Sequence, residues 1–324
     1  MKASMKREAL QTIAGAVIGW GTLFAVACQT VLKAPPPPAP PPVVELPNPW
    51  GLPNLQDSRI AYVKSEAKGR SLTAQLIVAR ADGSAPQEVY TSPEPISTPT
   101  WSPDGHSIAF ASYDRSGAGI FIIDLASGQV RQLTSEKGIN GAPAWSPDGS
   151  RLAVTLSFGR NPDIYLVDIA SGARTRITSN PAIETEPSWA PDGRTLAFIS
   201  DRSGLPHIYV AAASGGEAVL LKTPGKRAEQ PRYSPDGKSM AMVIGEGGRF
   251  RIGLLHLDSG AFEFLSEGPS DESPSFCPDG SMLVYSSEVG RGSRLELVSL
   301  DGRTHHELDV GDDVTYPSWS PRLP

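Results

Sequence analysis

The apolar positions of this chain fall in short runs rather than long stripes. Arg151-Leu-Ala-Val-Thr-Leu156 and Asp163-Ile-Tyr-Leu-Val-Asp168 are rich in β-branched and aromatic residues, and polar, Gly- or Pro-containing segments bound each of them. Runs of this length and composition predict β-strands. Ile108-Ala-Phe110, Leu196-Ala-Phe198 and Met242-Val-Ile244 occupy the place of the first run in their own segments, and Ile120-Phe-Ile-Ile123 and Ile208-Tyr-Val210 that of the second. The alternation of faces is blurred, as it is in sheets covered on both sides.

A motif punctuates these runs. Trp101-Ser-Pro-Asp-Gly105, Trp145-Ser-Pro-Asp-Gly149, Trp189-Ala-Pro-Asp-Gly193, Tyr233-Ser-Pro-Asp-Gly237 and Phe276-Cys-Pro-Asp-Gly280 are followed by a truncated Trp319-Ser-Pro321, and successive aromatics stand 44 or 43 residues apart. Pro presets φ, Asp accepts local backbone hydrogen bonds and Gly tolerates positive φ, so each copy predicts a tight turn between two strands. In the repeat from Trp145 to Ser188, strand A ends at Trp145, strands B and C are the two runs above, and Arg174-Thr-Arg-Ile-Thr178 is strand D. Four strands per repeat at this period predict an all-β propeller. Ser58-Arg-Ile-Ala-Tyr62 reads as a strand B with no strand A before it, and Thr315 to Pro321 as a strand A with nothing after it. Joining them closes a ring of six four-stranded blades and removes the open sheet edges. The motif aromatics are expected to fill the core between blades.

The first residues read differently. A basic start (Lys2, Lys6, Arg7) precedes the largely apolar run Ala9 to Ala27, which ends Ala25-Val-Ala-Cys28. This is the pattern of an export signal. Three fates stay open: lipidation at Cys28, which leads, cleavage to a soluble form, or an uncleaved anchor. All three place the body outside the cytoplasm, in the periplasm. The Pro-rich stretch Ala34 to Pro42 favours extended polyproline II, and with its flanks could hold the body up to about 60 Å from a membrane. The expected organisation is a signal over 1–28, a tether over 29–52 and the propeller over 53–324.

Charge and chemistry narrow the reading further. The formal net charge is −6, and the part beyond residue 33 is more acidic still, at −9. An acidic body lacks the basic footprint of nucleic-acid binding. Only Cys28 and Cys277 are present, so no disulfide framework is expected, and Cys277 stands where its repeat motif has Ser. No nucleophile elbow, His-Glu-X-X-His or phosphate loop occurs, and the five histidines are scattered. No catalytic residue, metal ligand or cofactor is assigned.

In a propeller the A–B and C–D turns share one face, and the B–C and D–A connections the other. The first face is explained by folding alone. On the second, the D–A connections enter the innermost strands at Ile96-Ser-Thr98, Asn140-Gly-Ala142, Glu184-Thr-Glu186, Ala228-Glu-Gln230, Asp271-Glu-Ser273 and Val314-Thr-Tyr316. Glu184, Glu186, Glu229, Asp271 and Glu272 are therefore expected to crowd one side of the channel mouth. Each B–C loop adds an arginine: Arg70, Arg115, Arg160, Arg202, Arg249 and Arg291. Such a rim either recognises a protein or pairs with itself in solvent.

Asn140-Gly-Ala-Pro-Ala-Trp-Ser-Pro-Asp-Gly, Thr185-Glu-Pro-Ser-Trp, Asp271-Glu-Ser-Pro-Ser, Leu297-Val-Ser-Leu-Asp-Gly302 and the terminal Pro317-Ser-Trp-Ser-Pro resemble the propeller domain of the TolB family of the Tol-Pal envelope system. The resemblance spans about residues 57 to 324. It implies a six-bladed propeller without enzymatic activity that docks the peptidoglycan-associated lipoprotein Pal over its channel mouth. By motif, the contact region falls on Asn140, Ala142, Thr185 and Glu186, with Glu229 and Glu272 as neighbours and Arg115 and Arg202 on the rim. Family members often have His where this chain has Ile139, and carry an α/β domain before the propeller where this chain has a Pro-rich tether. The expected protein is a monomer that binds an envelope protein and is held to the membrane by lipid or signal anchor. Two alternatives stay open: a carbohydrate or peptidoglycan binder, with Tyr113, Phe158 and Tyr316 as its few aromatic candidates, and a propeller relative of prolyl oligopeptidases without the hydrolase domain.

Overall fold

The computed structural model describes residues 55–323 apart from 56, 69–70, 115–116, 136, 159–160 and 291. Cys28, the tether and Arg70, Arg115, Arg160 and Arg291 lie outside the described residues. Twenty-four strands form six antiparallel sheets of four, and no helix occurs among the described residues. In blade 3 the strands are Asn140–Trp145, Arg151–Leu156, Asp163–Asp168 and Arg174–Arg176. Strands B and C have the bounds expected from the apolar runs. Strand D stops short of Thr178, whose Oγ1 accepts the Ile164 N–H at 2.9 Å. Thr134 and Ser266 do the same for Ile120 and Ile252 in blades 2 and 5.

The ring closes across the chain ends. Val314–Trp319 pairs antiparallel with Arg59–Lys68 as strand A of blade 1, with Ile60 opposite Trp319. Six buried apolar clusters fill the molecule, each shared by two neighbouring blades. The blades are thus held by their seams, where most of the apolar surface is removed from water. At three of the seams the motif indole also bonds across to the neighbouring blade. Trp145 Nε1 donates to Thr100 O at 3.2 Å, Trp189 Nε1 to Ala144 O at 3.1 Å, and Trp101 Nε1 to Ser318 O at 3.0 Å, the last bridging the closure. Trp319 is 5% exposed and donates to Ser58 Oγ at 3.0 Å.

The Pro-Asp-Gly turns that have Ser before the proline repeat one hydrogen-bond pattern. In blade 3, Ser146 Oγ donates to Asp148 Oδ1 at 2.5 Å, the Ser150 N–H donates to the same oxygen at 3.1 Å, and Ser146 Oγ accepts the Arg151 N–H at 3.0 Å. Cys277 reproduces it with sulfur: its Sγ donates to Asp279 Oδ1 at 2.9 Å and accepts the Met282 N–H at 3.2 Å. It is a turn residue, and burial raises its thiol pKa.

Candidate functional site

Every innermost strand carries the same irregularity. Its pairing register slips once, at the third to fifth residue, and the residue at the slip is non-glycine with positive φ. These residues are Thr98, Ala142, Glu186, Gln230, Ser273 and Tyr316, with φ between 47° and 59°. A proline follows each of them: Pro99, Pro143, Pro187, Pro231, Pro274 and Pro317. Proline has no N–H to give the ladder, so the slip leaves no backbone donor stranded there. The conformation itself costs about 1–2 kcal/mol for a residue bearing a Cβ. Six such residues in a ring mark the place in the fold where conformation is held against local preference.

All six line one cavity of about 390 Å³ at the channel mouth, walled further by Tyr113, Trp101, Trp145, Trp189 and Trp319. Hydrogen bonds cross the blades here. The Glu186 N–H donates to Thr155 Oγ1 of blade 3 at 3.2 Å, and the Ser273 N–H to Gln230 Oε1 of blade 5.

The acidic residues divide into two groups, and the expected crowding of five at the mouth is corrected by the structure. Glu184 is fully buried and paired with Arg202, whose guanidinium also lies 4.4 Å from the centre of the Tyr209 ring. Glu229 is buried against Arg227, with Oε1 at 2.7 Å from Nε, a contact outside hydrogen-bonding angles. Asp271 accepts from Ser287 Oγ at 2.6 Å and from the Gly268 N–H at 2.9 Å. These three are occupied by their own blades because their neighbours in the strands supply donors at once. Only Glu186 and Glu272 reach the cavity.

Glu186 is 8% exposed, and among the described residues its Oε2 has no hydrogen-bond partner. Burial raises its pKa from 4.5 to about 8, with Glu229 and Glu272 adding to the rise and the Arg232 guanidinium opposing it. Burial likewise raises Glu272, with Glu229, Glu288 and Asp271 contributing. Tyr316 is raised by burial and by the two cavity glutamates, and Arg232 is lowered by burial against the pull of Glu186.

Of the other residues that the sequence places at the mouth, Asn140, Ala142 and Thr185 line the cavity; Glu229 and Arg202 do not, and Arg115 lies outside the described residues. Tyr113 and Tyr316 line it too, whereas Phe158 is exposed and stands edge-on to Tyr165, 5.3 Å away. Two features escape a reading of the sequence alone, although each leaves a trace in it. The proline two residues before each motif aromatic is visible in all six copies. Arg232 is visible as the large residue where the other copies have Thr100, Ala144, Ser188, Ser275 and Ser318.

The family described as the TolB beta propeller domain matches residues 51–323. The chain belongs to this family. The chain is 44% identical to the Tol-Pal system protein TolB of Xanthomonas campestris pv. campestris (strain B100) over 85 residues, and 43% identical over the same length to that of Xanthomonas oryzae pv. oryzae (strain PXO99A). Each alignment covers 26% of this chain and 19% of the relative, so it spans about a fifth of those proteins. The crystal structure of TolB from Acinetobacter baumannii superposes with a TM-score of 0.78 at 35% identity, covering 84% of this chain and 69% of that one.

Proposed function

We propose that this TolB-family propeller is a non-enzymatic scaffold of the cell envelope that docks a protein partner over its channel mouth. The partner proposed is a Pal-like peptidoglycan-associated lipoprotein, with the body in the periplasm and held to the membrane through Cys28. One observation carries the reading: the ring of six strained pre-proline residues that opens into a cavity holding an unsatisfied buried carboxylate. Loops on a rigid scaffold are where recognition is usually placed, and strain repeated at one position of every blade calls for a reason other than folding. The names of the relatives, Tol-Pal system proteins, agree with an envelope partner.

Asn140, Ala142, Thr185, Glu186 and Glu272 form the proposed contact surface. Glu229 and Arg202 act behind it, Glu229 paired with Arg227 along strand A of blade 5 and Arg202 holding Glu184 of strand A in blade 4, and Arg115 belongs to the outer rim. The test is capture of a Pal-like lipoprotein on immobilised protein. Glu186→Lys with Glu272→Lys is expected to weaken it by roughly a hundredfold or more, since like charges then face a desolvated contact. Asp148→Asn on the opposite face is expected to leave it unchanged. Normal capture by the double variant would move the docking surface to the B–C rim.

A further inference from the structure

The charges that line the channel mouth do not balance. Among the described residues, the cavity wall holds two carboxyl groups, Glu186 and Glu272, and one guanidinium, Arg232. Glu229, on the same strand as Arg232, is already matched by Arg227. Arg232 itself donates through Nη1 to Pro231 O at 2.8 Å. One negative charge is therefore in excess whenever both cavity carboxyls are ionised, and Glu186 Oε2 is a buried acceptor with nothing bonded to it. The Thr98 hydroxyl, two blades away in the ring, is a second cavity-lining oxygen without a partner. Leaving such groups unmatched costs free energy that a bound donor would recover. Indole, phenol and proline rings make up part of the rest of the wall, beside hydroxyl and amide groups such as Asn140 and Gln230, and these rings suit an alkyl stem.

We propose that the channel mouth is a receptor for a single monocationic side chain of the docking partner, a lysine-type ammonium on an apolar stem, with Glu186 as its carboxylate acceptor. The inference rests on the docking function proposed above and specifies what the partner must offer. An ammonium donates hydrogen bonds and carries one charge, matching the free Glu186 oxygen and the one excess negative charge. Its stem lies along the aromatic wall as such stems do elsewhere. A divalent ion would leave a charge of the opposite sign uncompensated. In the empty cavity, burial, Glu229, Glu272 and the nearby Tyr316 favour a proton on Glu186, while Arg232 opposes it. Seating the ammonium displaces that proton, so binding strengthens as pH rises from 6 to 9.

The full chain is titrated with butylammonium, with 1-butanol as the neutral control and calcium as a separate arm, following the fluorescence of the channel tryptophans and the heat released in two buffers of different ionisation enthalpy. Saturable butylammonium binding with a roughly millimolar Kd, release of up to about one proton near pH 7, and a roughly tenfold weaker response to 1-butanol are expected. Glu186→Gln is expected to weaken butylammonium roughly tenfold. Arg232→Gln, which leaves two carboxyls unopposed, is expected to tighten it several-fold, a gain that misfolding cannot imitate. Equal binding of 1-butanol, wild-type affinity in Glu186→Gln, no tightening in Arg232→Gln, or saturation by calcium that butylammonium cannot displace would each overturn the proposal. Partner capture that depends on the mouth while butylammonium fails to bind would sink this inference and leave the docking function standing.

Discussion

The two faces of the propeller are built from the same repeat and handle charge and backbone in opposite ways. On the turn face, positive φ falls on the glycine of every Pro-Asp-Gly turn, as at Gly149, and Asp148 is wrapped by hydroxyl and N–H donors. Asp148 is accordingly held down to about 2, by the Ser146 hydroxyl first and then by the backbone and hydroxyl of Ser150. At the channel mouth, positive φ falls on residues with side chains, and the cavity carboxyls are buried with too few donors, so their pKa values go up. The turn face is what folding wants; the mouth is held in place by the folding of everything around it. A surface that keeps strain in all six repeats and leaves Thr98 and Glu186 oxygens unmatched is the one to examine for binding.

The largest change erases the comparison altogether. Removing Tyr316 to Pro324 takes most of strand A from blade 1 and exposes two sheet edges, so the cooperative melt is expected to vanish and the protein to aggregate. Trp319→Ala alone loses a buried indole and its bond to Ser58, and denaturant unfolding is expected to show a loss of about 3–5 kcal/mol. Unchanged unfolding would mean that the seam at the closure is not needed.

Next come the pH slopes, which should have opposite signs on the two faces. Between about 4.5, where the glutamate of the unfolded chain ionises, and about 8, native Glu186 keeps a proton that the unfolded chain has released, so stability falls as pH rises. Glu186→Gln removes that slope, and at pH 9 the variant is expected to be more stable than the parent by on the order of 1–3 kcal/mol. Parallel stability curves from pH 5 to 9 would show that Glu186 is not held neutral.

Backbone strain gives a smaller contrast. Gly149→Ala puts a Cβ at φ 71°, where its nearest contact is an ordinary 3.8 Å to Pro103, so the expected loss of about 1 kcal/mol is conformational. Ala142→Gly relieves the same strain at the mouth, and the net effect is expected to lie between zero and a gain of about 1 kcal/mol, since the freer unfolded chain offsets part of it. Thermal melts of the two variants moving in the same direction would contradict the contrast. The smallest effect is that of Asp148→Asn. Its carboxylate stabilises the fold above about 3.8, and the contribution disappears as pH falls towards 2. Solvent screening limits the loss at neutral pH to about 0.5 kcal/mol, and the variant is expected to flatten only the acid limb of the unfolding curve.

Much of this architecture was legible in the residues. The spacing of the Pro-Asp-Gly turns, the short apolar runs between them and the unmatched strands at either end are local signals, and each has one economical solution: four strands per repeat and a ring closed by Val314–Trp319. Cys277 was legible for the same reason, since a turn needs a small donor and acceptor at that place and sulfur serves. The mouth was legible only as a region. Which chain segments reach it follows from strand order, so Asn140, Ala142, Thr185, Glu186 and Glu272 were named correctly as neighbours of the channel. Which carboxyls face it does not, because Glu184 and Glu186 differ by two residues in one strand and a register slip between them sends one to Arg202 and the other to the cavity.

The sequence by itself therefore determined what short-range chemistry determines: the strands, the turns, the number of blades and the acidic character of one face. Tertiary structure alone decided the strained ring, the seating of Arg232 beside Glu186 and the unmatched Oε2. Those depend on six chain segments, tens to hundreds of residues apart, converging on one axis, where each group's environment is set by the neighbouring blades and not by its neighbours along the chain.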